Sequence, residues 1–275
     1  MHRSTGSTPP LTCVLRDTLI AIIAVTALIP SLASAGSISE AERDSRLASA
    51  HELLGSHYDK SAVRSGEEVD KINKMIYRWT KEALPESYKK NYKKIAQTII
   101  DESLKNEFDP IFVMSVIMNE SSFRPETIGP FKEIGLMQLR VQTAQWIGLK
   151  EKIKFKSVKA AKKALKDPAM NIKLGTAYLA YLRERFDSHA RLYLAAYNMG
   201  QGNVEEALSR NIWPKEYVIR VMHHYVGYYK EIRDIYKPKA NLKSETNVSE
   251  IEVPTDRQIA AITETPITED TVPTE

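Results

Sequence analysis

The chain has 275 residues, 43% of them hydrophobic and 27% charged, with a net charge of +4. That is enough apolar material for one compact domain with extensions, and too much for a wholly disordered chain. A single cysteine, Cys13, excludes a disulfide framework and a cysteine-based metal site.

Residues 1–35 read as an export signal. Arg3 and Arg16 lie in a polar start, Thr18 to Leu32 is apolar, and Ala33-Ser34-Ala35 forms a small-x-small cleavage site before Gly36. The apolar run is shorter than the roughly 20 residues a spanning helix needs, so cleavage is expected over retention as a membrane anchor. Cys13 precedes that run, which argues against lipidation. The signal carries +1 and residues 239–275 carry −5, which leaves +8 on 36–238. An exported basic domain suits an anionic envelope polymer or membrane surface, and export argues against nucleic acid.

Residues 36–94 are expected to form a helical N-terminal extension. A short polar helix is read around Ser39 to Leu54. A second lies near 67–83, with Ile72, Met75, Ile76 and Trp79 at helical spacing, and stops before Pro85. A third spans about 87–106, with Ile95, Ile99, Ile100 and Leu104 on one face. The main domain is read as 95–238. Asp109-Pro110 supplies an N-cap and a proline at the first helical position, starting a half-buried helix that ends at Glu120. Residues 124–134 form a loop, with a small β-hairpin conceivable in 124–137. Further helices are expected near 138–147, 168–186 (after the Asp167 cap), 188–198, 201–209 and 214–235. The fold class is therefore mainly α. Residues 239–275 are rich in Thr, Glu and Pro with no aromatic residue, and read as a disordered acidic tail.

Three short motifs carry the chemistry. They are Glu120-Ser121-Ser122-Phe123, Gly135-Leu136-Met137-Gln138-Leu139 and Ala196-Tyr197-Asn198-Met199-Gly200. Glu120 closes an apolar helix. The negative end of the helix dipole and apolar neighbours both raise a carboxyl pKa, as a general acid at neutral pH requires. Read singly, each motif has a plainer meaning: a solvated Glu, a turn into a helix, a helix cap.

Together, at these separations, the three motifs resemble the soluble-type lytic transglycosylase domain, a lysozyme-like family related to goose-type lysozyme. The resemblance covers about 95–235. It includes Asp167-Pro168 with Asn171, Ile172, Gly175 and Leu179, and Trp213-Pro214 followed by Tyr217-Val218. It implies that Glu120 is the single catalytic acid/base. It implies that Met137 and Gln138 line the glycan groove, and that Tyr197 and Asn198 orient the carboxylate and the sugar. Tyr217 falls where the family places a hydroxyl near the catalytic carboxylate. The implied substrate is peptidoglycan, cut between N-acetylmuramic acid and N-acetylglucosamine to leave a 1,6-anhydro ring. The expected protein is a monomeric periplasmic or envelope enzyme with no metal or cofactor, with cell-envelope machinery as a candidate partner.

One carboxylate suffices for that chemistry, because the substrate's own acetamido oxygen and O6 hydroxyl replace the second carboxylate and the water. Glu126, Glu133 and Asp187 are the nearest candidates for a second acid, each read as a solvated side chain. His223 and His224 lack a third ligand at metal spacing.

Two departures stand out. The family often has serine nine positions after the catalytic Glu, where this chain has Gly129 before Pro130. Restoring the serine is expected to raise turnover or leave it unchanged, unless Gly129 sits at positive φ. Lys132 and Glu133 occupy places usually held by small residues, giving the loop a charged rim. The segment Lys150 to Lys166 holds eight lysines and reads as a solvated amphipathic helix. The rivals to a transglycosylase are a goose-type hydrolase and a non-catalytic peptidoglycan-binding component of an envelope machine.

Overall fold

The computed structural model describes residues 44, 46–55 and 69–236. Residues 1–35, read above as an export signal, with Cys13 among them, and residues 239–275, read as a tail, lie outside the described residues. Within them the protein is mainly helical and contains no sheet. No described helix is long and apolar enough to cross a membrane.

Residues 46–54 are helical (α1), followed by α2 (Val69–Ala83), α3 (Glu86–Lys89), α4 (Tyr92–Lys105) and α5 (Pro110–Ser121). After the loop that carries the middle motif come α6 (Val141–Lys150), α7 (Val158–Leu165) and α8 (Pro168–Arg185). The chain continues through α9 (Ala190–Met199), α10 (Gln201–Ser209) and α11 (Glu216–Tyr236). The expected hairpin reduces to two isolated antiparallel bridges, Ile128 with Ile134 and Ile134 with Leu139.

Side-chain caps fix the starts of three helices. Asp109 accepts from the Ile111 N–H at 2.9 Å, Ser157 from Ala160 at 3.1 Å and Asp167 from Met170 at 2.8 Å. Each cap stabilises its helix by about 1 kcal/mol. Two expected boundaries moved. The helix read over 87–106 is broken at Lys90-Asn91 into α3 and α4, with Asn91 at φ −98 and ψ 2. The helix read from 138 starts at Val141, because Gln138 has φ 47 and cannot open a right-handed helix. Of the lysine-rich segment, Lys150 closes α6 and Val158–Leu165 forms a helix of its own, and the residues between are not helical.

Helix α5 is more deeply buried than a half-buried helix: every residue from Pro110 to Ile117 is in the interior. It packs against α4 and α11, and one apolar core runs from Leu53 and Leu54 of α1 through Phe112 and Ile117 to Ile232 of α11. A second, smaller core holds Ile134, Leu139, Ala144, Ile147, Leu165 and Leu174. The middle motif spans both. Leu136 and Met137 point into the first core, Ile134 and Leu139 into the second. The turn that carries Gln138 is therefore pinned from two sides.

Candidate active site

The end of α5 delivers Glu120. Ser122 turns the chain by taking the left-handed conformation, with φ 50 and its N–H bonded to the Met118 carbonyl at 3.0 Å. Phe123 follows at φ 57 and is fully buried, which locks the exit of the helix. Two consecutive non-glycine residues at positive φ are costly, and such strain collects at functional sites. Ser121 donates its hydroxyl to the Leu136 carbonyl at 2.8 Å, tying the helix end to the middle motif.

That motif is shaped by two positions on α8. Asn171 is fully buried. Its Oδ1 accepts from the Met137 N–H at 2.7 Å, and its Nδ2 donates to the carbonyls of Ile134 at 2.8 Å and Leu165 at 2.9 Å. Gly135 has φ 86, and a Cβ there would meet the Asn171 amide and, at 2.7 Å, the Leu165 carbonyl. Only glycine fits. One turn further along α8, a Cβ at Gly175 would run into the Met137 sulfur. The Asn171 and Gly175 positions of the resemblance are thus the cradle of the middle motif.

A cleft of about 710 Å³ opens over these elements, and Glu120, Gln138, Tyr197 and Asn198 all line it. The Gln138 Nε2 donates to the carbonyls of Gly135 at 2.8 Å and Thr127 at 3.1 Å, which fixes the amide. The Tyr197 hydroxyl donates to the Met137 carbonyl at 2.7 Å. It therefore holds the turn rather than the carboxylate. Asn198 is exposed at the cleft wall. Two expected site residues do not reach the cleft surface. Met137 is fully buried and acts through its backbone, while Tyr217 is buried behind Glu120 and donates its hydroxyl to Glu120 Oε1 at 2.5 Å.

Burial pushes the Glu120 carboxyl up from its ordinary 4.5 to about 7. The Tyr217 hydrogen bond and the Arg220 guanidinium pull it down, and the nearby Glu133 carboxylate pushes it up again. Desolvation wins because the carboxyl lies at the end of an apolar helix with one hydroxyl donor. Arg220 is turned toward Asn119, to which its Nε donates at 3.2 Å.

Glu133 is the part of the cleft that pattern reading placed in solvent. It lines the cleft, with Oε2 accepting from the Phe131 N–H at 2.9 Å and Oε1 from Arg140 Nε at 3.0 Å. The Arg140 guanidinium also covers the Phe131 ring at 5.3 Å. The same side chain bears on the expectation for Gly129. Gly129 is not at positive φ, but a Cβ there would fall 2.5 Å from Glu133 Oε2 and 2.7 Å from Gln138 Oε1. The volume of the missing serine is filled by Glu133. The unusual pair of residues, glycine at 129 and an acid at 133, was the signal that could have shown this. Phe131, Thr143 and Tyr178 also line the cleft and carried no motif. Glu126 is held outside it, accepting from the Tyr88 hydroxyl at 3.1 Å. Asp187 lies in the turn after α8, at φ 46.

Residues 97–219 match the family described as the Transglycosylase SLT domain. Over 142 residues the chain is 31% identical to the membrane-bound lytic murein transglycosylase C of Photorhabdus laumondii. That match covers 49% of this chain and 39% of the relative, so the chain spans about two fifths of the length of this curated relative. Two solved structures are also similar. The lytic transglycosylase Slt of Pseudomonas aeruginosa, in an inactive mutant, is 23% identical with a TM-score of 0.41, over 50% of this chain and 24% of its own. The 70 kDa soluble lytic transglycosylase of Escherichia coli is 20% identical with a TM-score of 0.40, over 62% and 30%.

Proposed function

We propose that the chain carries a soluble-type lytic transglycosylase domain, on the match of residues 97–219 to the Transglycosylase SLT domain, and that it cleaves the glycan strands of peptidoglycan without water. The observation that carries this reading is Glu120 itself: a cleft-lining carboxyl with a pKa raised to about 7 and one oxygen held by Tyr217. At neutral pH a large fraction of it is protonated. With Oε1 accepting from Tyr217, Oε2 is the oxygen left to carry the proton.

Glu120 donates that proton to the glycosidic oxygen between N-acetylmuramic acid and N-acetylglucosamine as the C1–O bond breaks. The muramic acetamido oxygen closes on C1 and stabilises the developing cation. Glu120, now a carboxylate, removes the proton from the muramic O6 hydroxyl. O6 attacks C1, the acetamido oxygen leaves, and a 1,6-anhydro ring forms. The proton count balances, and Glu120 ends protonated as it began. The attack is intramolecular, which supplies a high effective concentration in place of water. Gln138 and Asn198 offer amide groups to the sugars, while Tyr197 and Met137 hold the turn beneath them. The substrate, the monomeric state and an exported or envelope location through residues 1–35 belong to this proposal. So do the domain boundaries at 36–94, 95–238 and 239–275.

Hydrolysis is the second reading, favoured by one observation: Glu133 shares the cleft with Glu120. Both Glu133 oxygens are engaged, however, by Phe131 N–H and Arg140, which leaves the carboxylate poorly placed to activate a water. Mass spectrometry of digested peptidoglycan separates the two, since a hydrolysed muramic end is one water heavier than an anhydro end. Glu120→Gln should abolish cleavage and leave glycan binding nearly intact, because the amide keeps the shape without an acidic proton. Activity within about tenfold of wild type would place the acid elsewhere.

A further inference from the structure

Seven of the eight net positive charges on residues 36–238 stand between Glu151 and Asp167, a stretch with no acid and no arginine of its own. Before α7, the exposed Lys152, Lys154 and Lys156 alternate with the half-buried Ile153 and Phe155, which pack on the second core. A Cβ at Gly148 would lie 2.8 Å from the Phe155 ring, so this part is pressed closely against α6. In α7, Lys159, Lys162, Lys163 and Lys166 are exposed at i, i+3, i+4 and i+7, while Ala161 and Leu165 face the interior. Both parts thus turn their apolar side chains inward and their lysines outward. The flanking acids are engaged elsewhere. Glu151 pairs with Lys105 at 2.5 Å, and Asp167 caps α8 through the Met170 N–H at 2.8 Å. Among the described residues no carboxylate pairs with any of the seven lysines. None of them lines the cleft over Glu120.

Like charges at these helical spacings repel and weaken a helix. Nothing among the described residues offsets that repulsion, and an anionic surface would. Lysine without arginine suits a diffuse field of negative charge better than a single phosphate held in a bidentate grip. Two exposed apolar side chains accompany the lysines. Leu149 precedes them at 64% exposure, and Val158 stands among them at 62%. A dissolved polyanion offers nothing to such side chains, whereas a lipid surface takes lysines at its headgroups and apolar side chains beneath them. We propose that the stretch from Lys152 to Lys166 is a docking face for an anionic lipid bilayer, with Val158 entering the headgroup layer. The face works apart from the cleft over Glu120. It holds the domain at a membrane surface by charge carried on the folded domain itself.

Lysine acetylation of the whole chain, read residue by residue by mass spectrometry, tests this whatever other segments do. The probes are vesicles of phosphatidylcholine alone and of phosphatidylcholine with phosphatidylglycerol. The mixed vesicles should slow labelling of Lys159, Lys162, Lys163 and Lys166 about fivefold or more, and that of the exposed Lys74 of α2 and Lys230 of α11 by less than about twofold. Added salt should remove the protection, and phosphatidylcholine alone should give none. Val158→Phe should lower the concentration of mixed vesicles that half-protects these lysines about three- to tenfold, and leave the half-protecting concentration of polyphosphate within about twofold. Lys159→Gln with Lys163→Gln should raise the vesicle concentration needed to protect Lys162 and Lys166 several-fold. Thermal melts check folding, and this exposed pair stays informative if Val158→Phe is poorly folded. Equal labelling with and without mixed vesicles, or equal protection of Lys74 and Lys230, would overturn the docking face. Protection already present without vesicles would overturn it too, by showing that acids of the chain itself cover the lysines. A well-folded Val158→Phe protein that binds vesicles no better than the parent would assign the face to a soluble polyanion and overturn the lipid reading.

Discussion

On the proposed reading, the chemistry rests on the titration of one residue, Glu120. The folded chain holds its proton to about pH 7, whereas the carboxyl's ordinary value is 4.5. A raised folded pKa contributes stability that is fully present below 4.5 and is lost as pH rises through 7. Above 7 the desolvated carboxylate costs at most about 3 kcal/mol, less where the open cleft solvates it. Glu120→Gln removes that cost. In urea melts the variant should gain up to about 2 kcal/mol over the parent at pH 8 and little at pH 4.5. A gain that does not change with pH would show that Glu120 ionises as an ordinary surface carboxyl. Turnover of the parent should likewise fall as pH rises above about 7, as the acid form disappears. Gly129 supplies a second test. A serine there must shift both the Glu133 carboxylate and the Gln138 amide, since its Cβ would lie 2.5 and 2.7 Å from their oxygens. Losing one such hydrogen-bonded arrangement costs roughly 0.5–1.5 kcal/mol, so Gly129→Ser should lower turnover several-fold. Adding Glu133→Ala should recover much of that loss by emptying the same volume. A double variant no better than Gly129→Ser would mean that the two positions do not share space.

At the scale of elements, what the sequence made legible is what local chemistry decides. Asp109 and Asp167 announced the starts of α5 and α8, because a carboxylate followed by proline has few other uses. The apolar run before Glu120 marked a buried helix. The boundaries that moved depend on contacts far along the chain. Gln138 is held at φ 47 inside a turn pinned by Asn171, 33 positions away, so the helix after it could not start where its composition allowed. In the site, Glu120, Gln138, Tyr197 and Asn198 were legible because they sit within motifs. Glu133 was not, because its place shows only when it is paired with Gly129 four positions earlier, and no motif joins the two. The loop contains a further testable strain. Lys132 is exposed at φ 68, its N–H bonded to the Gly129 carbonyl at 3.0 Å. An L-residue there is disfavoured, so Lys132→Gly should raise stability by roughly 0.5–1 kcal/mol, seen as a higher melting temperature. A lower one would mean that the lysine side chain makes a contact worth more than the strain.

Across the whole molecule, α5 is anchored at the end opposite Glu120. Asp109 caps α5 and is fully buried. Its carboxylate also accepts from the hydroxyls of Tyr225, at 2.9 Å, and Tyr229, both on α11, and it pairs with Arg46 of α1 at 3.4 Å. Ser49 of α1 accepts from the Asp109 N–H at 3.2 Å. A second pair, Glu52 with Arg183, ties α1 to α8. One buried carboxylate thus joins α1, α5 and α11. The last two are the helices that bring Glu120 and Tyr217 together, so α1 braces that pair through Asp109. Removing one partner of a buried ion pair costs about 3–5 kcal/mol when the remaining charge has no other support. Here two tyrosine hydroxyls and a backbone N–H remain, so Arg46→Ala should cost about 2–3 kcal/mol. The loss should depend on pH in a definite direction. Burial raises the Asp109 pKa and Arg46 opposes that rise, so without Arg46 the folded pKa climbs further. Stability from a raised folded pKa is present at low pH and lost as pH rises. The gap between parent and Arg46→Ala in urea melts should therefore be small near pH 4 and grow toward pH 8. An equal gap at both ends would assign Arg46 a packing role alone, and no gap would separate α1 from the stability of the catalytic helix.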